Sequence, residues 1–189
     1  MRIILVRHGE TYRNRDGEGP SVLTPRGIQQ AKGLAKRLKR YPIKRIYSSD
    51  LERALQTTQH IIKYHKIKPV VVKEFREIRG ILVGGMDRYG SQKDLRRHKQ
   101  RVEKAWNIIK KIEHDGDILI VCHGGFIRYM LSKVLEVNPK KMWPFIISNC
   151  SINVINKVER EYKPYQILLV NGVRHIPKKH LADETMYLE

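Results

Sequence analysis

Apolar residues recur along the chain with two different periods. Short runs, mostly β-branched, lie at 3–6, 45–47, 70–72, 118–122, 152–155 and 167–170. Their length and composition predict buried strands. Between them, apolar positions fall three and four residues apart. Thr24 and Pro25 place a capping residue before proline at a first helical position. Ile28, Ala31, Leu34, Ala35 and Leu38 then share one helix face. Further helical patterns cover about 51–64, 92–113 and 126–135. Strand–helix alternation of this kind predicts an α/β chain: a three-layer α/β/α sandwich with a mostly parallel central sheet. The 189 residues suit a single domain, 1–189.

Composition removes several classes. The apolar fraction of 41% is enough for a packed core and excludes global disorder. No apolar run reaches bilayer length, so no membrane partner is expected. Two cysteines, Cys122 and Cys150, exclude a disulfide scaffold and a four-cysteine zinc site. The chain opens on Met1 and the first strand without a leader pattern, and reduced thiols in a cytoplasmic protein are expected.

The net charge of +19 leaves two alternatives open. One is a basic module that binds nucleic acid or phosphoproteins; the other is a protein that handles small anions. Basic residues spread over nearly every helical pattern and are densest at Lys93, Arg96, Arg97, His98, Lys99 and Arg101. No aromatic ladder or known nucleic-acid motif accompanies them, so contact with nucleic acid would be nonspecific. That cluster reads as a solvated face or as a field that steers anions. Nothing in the sequence fixes an oligomeric state.

Two predicted strands end alike. The first runs out through Arg7, His8 and Gly9, the one at 118–122 through His123, Gly124 and Gly125. Ligands of open parallel sheets bind beyond the carboxyl ends of the strands. Glycine there lets the backbone approach a ligand closely. Neither histidine has a second ligand at metal spacing, so no metal is expected. Arg7 and Arg53 offer planar forks that match phosphate oxygens. A helix opening after Gly124 and Gly125 would turn free N–H groups to the same crevice. These parts together describe a phosphoryl site. Cys122 to Arg128 also spells cysteine, five residues, arginine, the spacing of cysteine-based phosphate loops. Against that, Val121 precedes the cysteine where histidine is usual, and no Ser or Thr follows Arg128. His60, His65, His98, His114 and His180 are expected at the surface, and Trp106 and Trp143 in the core.

The run Arg7-His8-Gly9-Glu10-Thr11 resembles the signature of the histidine phosphatase superfamily, the phosphoglycerate-mutase-like proteins. The segments at 23–27, 47–54, 75–78, 121–125, 149–152 and 171–175 resemble its later motifs, in the same order, over about residues 1–176. The resemblance implies a phosphohistidine at His8, formed without metal or cofactor. It implies that Arg7, Arg53 and His123 hold the phosphoryl oxygens and that Glu77 moves the proton. Asn14, Gly9, Thr11 and Gly124 would complete the substrate cradle. Glu10 would bond outside the reacting atoms, and His175 would act on the site indirectly.

The chain departs from the family pattern after Glu77, where glycine comes three residues on and no aromatic follows. Glu74 is the weaker candidate for the acid. Only 45 residues separate Glu77 from His123, so the insertion that covers substrate in mutases, at about 79–100 here, is small. The expected reaction is therefore hydrolysis of a small phosphorylated substrate, with phosphoglycerate mutase activity as an alternative.

Overall fold

A computed structural model of the chain describes residues 1–12, 21–78, 80–84, 91–113 and 115–181. Six strands form one sheet: β1 (Arg2–Arg7), β2 (Ile43–Ser48), β3 (Val70–Val71), β4 (Asp117–Cys122), β5 (Ile152–Lys157) and β6 (Tyr165–Gly172). Their order across the sheet is β3-β2-β4-β1-β5-β6. The first four run parallel; β5 is antiparallel to β1, and β6 to β5. Four helices flank them: α1 (Pro25–Leu38), α2 (Glu52–His65), α3 (Gln92–Lys111) and α4 (Gly124–Leu135).

The strand pleat divides the core in two. Ile3, Leu5, Ile118 and Ile120 face one side, with Phe75, Val102, Trp106, Ile109 and Phe126. Ile4, Val6, Leu119 and Val121 face the other, with Ala31, Leu34, Leu38, Ala54 and Ile61. Central strands β1 and β4 are thus covered on both faces, which is why they read as unbroken apolar runs. The predicted sandwich and its mostly parallel sheet are what forms. The runs at 70–72 and 167–170 are different: Val71 is 51% exposed and Leu168 56%. Both lie on strands at the sheet edges, where part of the strand is left open to solvent.

Helix starts follow local chemistry. Thr24 Oγ1 accepts from Gly27 N–H, with Pro25 behind it. Ser91 and Asp94 form a reciprocal capping box at α3. Helix α4 begins at Gly124, two residues before the sequence pattern suggests, because the His123 carbonyl already accepts from Ile127 N–H. That shift brings the two glycines into its first turn. Since β1 and β4 are parallel neighbours, with Arg7 paired to Cys122, their ends deliver His8 and His123 side by side.

Candidate active site

His8 leaves β1 with its N–H bonded to the Cys122 carbonyl at 3.0 Å. The residue is 6% exposed. Ring Nδ1 lies 2.7 Å from the Gly9 carbonyl. A carbonyl only accepts, so Nδ1 carries the proton and Nε2 keeps its lone pair. Arg53 Nε–H donates to that lone pair at 3.2 Å. Burial, then Arg7, then Arg53, hold the His8 pKa well below the ordinary imidazole value. The ring is a neutral base among cations.

The turn after His8 is built tightly. A Cβ on Gly9 would sit 2.6 Å from the Gly27 carbonyl of α1, so only glycine fits. Gly9 N–H donates to Thr57 Oγ1, which in turn donates to the Arg53 carbonyl. This link ties the turn after His8 to the first turn of α2. From the opposite side, Asn149 Nδ2 donates to the His8 carbonyl at 3.0 Å. Cys150 N–H bonds the Arg7 carbonyl at 3.0 Å from a backbone with φ of 56°. His175 Nε2 donates to the Cys150 carbonyl, so it reaches His8 only through that turn.

His123 is fully buried, its ring centroid 5.1 Å from that of His8. Its Nε2 lies 2.9 Å from Ser49 Oγ at the end of β2. Its Nδ1 is buried and has no hydrogen-bond partner among the described residues. Burial lowers the His123 pKa well below the usual value, and His8, Arg53, Arg7 and Arg101 add to the effect. Arg7 is anchored by the Ile147 carbonyl at 2.7 Å and lies against Gly124.

Glu77 is the residue expected to move the proton. It lines a cavity of about 510 Å³ with Arg7, Gly124, Arg128, Trp143 and Ile146. Its carboxylate accepts from Ile78 N–H at 2.9 Å, Phe126 N–H at 3.1 Å and Gly125 N–H at 3.4 Å. The first-turn N–H groups of Gly125 and Phe126, expected to cradle the ligand, are therefore taken by Glu77. A Cβ on Gly125 would come within 2.8 Å of Glu77 Oε1. Glu74 gives only its carbonyl to this region, as an acceptor for Arg101.

Other expectations fare differently. Asn14 and His114 lie outside the described residues. Thr11 forms an isolated bridge with Leu23. Glu10 faces α1, accepting from Thr24 and Arg26. Cys122 is buried among apolar groups, which push its thiol well above the usual range and disfavour the nucleophilic thiolate. Arg128, its would-be partner, bonds the Phe145 carbonyl and stacks 5.0 Å from the Trp143 ring. Trp143 is not in the core: it is 51% exposed on the cavity wall. His98, expected at the surface, is buried. Among the described residues, no group of three or more metal-ligating side chains converges, and no helix is long and apolar enough to cross a membrane.

Comparison with known proteins bears on the fold and the family. The model of the histidine phosphatase superfamily (branch 1) matches residues 3–93 and 82–171. Phosphoserine phosphatase 1 of Hydrogenobacter thermophilus is 32% identical over 190 residues, covering 85% of this chain and 88% of the relative. The adenosylcobalamin/alpha-ribazole phosphatase of Escherichia coli is 26% identical over 171 residues, covering 77% and 84%. The crystal structure of a phosphoserine phosphatase from Entamoeba histolytica, in complex with 3-phosphoglyceric acid, superposes with a TM-score of 0.74 at 25% identity, covering 93% of this chain and 99% of that one. With its family motifs in order and its two histidines at adjacent strand ends, the chain belongs to branch 1 of the histidine phosphatase superfamily.

Proposed function

We propose that the protein hydrolyses small phosphomonoesters through a phosphohistidine on His8. One observation carries this: the Nδ1–H bond to Gly9 leaves the Nε2 lone pair on a buried, neutral ring beside Arg53. In-line attack by Nε2 forms the P–N bond as the ester P–O bond breaks. Glu77 enters the cycle protonated and gives that proton to the departing alkoxide. Water then attacks phosphorus, Glu77 takes the water's proton, and the P–N bond breaks. Inorganic phosphate leaves and His8 returns neutral. Arg7 and Arg53 offset charge on the equatorial oxygens. With Ser49 donating to His123 Nε2, His123 Nδ1 carries the ring proton, and it has no partner among the described residues, which supports a third contact from this ring.

Water is the acceptor in this proposal, in keeping with the short interval between Glu77 and His123 and with relatives named as phosphatases. The substrate class is a small phosphorylated alcohol. Phosphoserine, 3-phosphoglycerate and nucleoside monophosphates form the first panel, compared by kcat/KM. A phosphoenzyme trapped from labelled substrate should be acid-labile and absent in His8→Ala. Phosphate release that survives His8→Ala would overturn the proposal. Interconversion of 3- and 2-phosphoglycerate faster than phosphate release would replace hydrolysis with mutase activity.

A further inference from the structure

Helix α3 is the most basic element, and most of its cations (Lys93, Arg96, Arg97, Lys99, Lys104, Lys110 and Lys111) are exposed. Arg101 is different. It turns inward, and its guanidinium gathers three backbone carbonyls of the segment that carries Glu77. Nη1 donates to Arg76 O at 2.8 Å and to Glu74 O at 3.2 Å; Nη2 donates to Glu77 O at 2.5 Å. Beneath it, buried His98 offers Nδ1 at 3.1 Å from Nη2. Arginine can only donate, so His98 Nδ1 accepts, and the imidazole is held as the Nε2–H tautomer.

The segment needs such a clamp. After the short 3-10 turn Lys73–Phe75 it has no regular structure up to Ile78. Phe75 and Ile78 anchor it in the core, and Asp50 grips Arg76 through two bonds of 2.6–2.7 Å. Those contacts fix side chains on either side of Glu77. Arg101 fixes the Glu77 backbone itself, and so decides where the carboxylate meets the first turn of α4. A charged donor shared by three carbonyls is also stronger than a neutral hydrogen bond.

We propose that Arg101, backed by His98, is a positioning residue for proton transfer: it holds the 74–77 backbone so that the Glu77 carboxylate stays aligned with the leaving group. The proposal rests on the role given to Glu77 above, and the test separates the two. Nitrophenolate is a stable anion and leaves without a proton, whereas an alkoxide needs one. The kcat/KM value covers steps up to the first departure, so it isolates this proton transfer from later hydrolysis of the phosphoenzyme. General acid catalysis is worth about 10²–10⁴-fold. Arg101→Met should therefore lower the ratio of kcat/KM for glycerol phosphate over p-nitrophenyl phosphate by about tenfold or more. Glu77→Gln should lower the same ratio further.

Arg101→Lys keeps the charge but cannot span three carbonyls, and should give the same change at smaller size; it decides the matter if Arg101→Met does not fold. An unchanged ratio in the folded Arg101 variants, with Glu77→Gln still selective, would overturn the positioning role. An unchanged ratio in Glu77→Gln would overturn the acid assignment, and the Arg101 role with it.

Discussion

Lowering the pH should cost this protein native stability in a window set by its two buried imidazoles. His8 and His123 are 6% and 0% exposed and sit among Arg7, Arg53 and Arg101, so both pKa values are depressed in the folded state. In the unfolded chain each ring titrates near 6.5. A depressed folded pKa gives stability that is fully present above 6.5 and lost as pH falls toward the folded value. Within that window the unfolded state binds one more proton per ring, and each ring contributes a slope of about 1.36 kcal/mol per pH unit. Two rings give a loss of about 2.7 kcal/mol between pH 7.5 and 5.5, a large part of the roughly 5–15 kcal/mol of a typical domain. Urea unfolding followed by circular dichroism at pH 7.5, 6.5 and 5.5 measures it. Phosphate-free buffer keeps ligand stabilisation out of the comparison. The control is the double variant His8→Gln, His123→Gln, which lacks both titrating rings. Parallel pH–stability curves for the native and control proteins would refute the reasoning, because the native rings would then be protonating as freely as unfolded ones.

Cys122→Ser should keep most phosphatase activity, since its thiol lies in the core; loss matching that of His8→Ala would point to a cysteine nucleophile. Gly125→Ala should cut turnover of alkyl phosphomonoesters at least tenfold by driving a methyl group to within 2.8 Å of Glu77 Oε1, as steady-state kinetics on glycerol phosphate would reveal. Truncating Trp143 to alanine should raise KM for aromatic substrates by about two- to tenfold, the worth of one aromatic contact, and change kcat little. Thr24→Ala removes the α1 cap and should lower unfolding free energy by about 1 kcal/mol in urea melts.

The layered fold was legible in the sequence because period and capping are local. Unbroken β-branched runs at β1 and β4, and Thr24-Pro25 before an amphipathic stretch, need no knowledge of distant residues. His8, Arg7, Arg53, His123 and Glu77 were also legible, since each lies in a short motif at a predicted strand end or helix start. What sequence missed was long-range. The runs at β3 and β6 resemble buried strands, but their places at the sheet edges leave Val71 and Leu168 open to solvent. His98 and Arg101 look like part of a solvated basic face; only the approach of the 74–77 segment to α3 turns them inward. Trp143 looked like core and lines the cavity wall.

The sequence by itself therefore determined the elements, the candidate nucleophile and the cations around it, because those depend on residue type and near neighbours. Tertiary structure decided which nitrogen of His8 is left unprotonated, where the Glu77 carboxylate rests, and which basic residue lies behind it. Those depend on hydrogen bonds to groups brought together by parallel pairing of β1 with β4 and by packing of α3 and α4, and no local pattern encodes them.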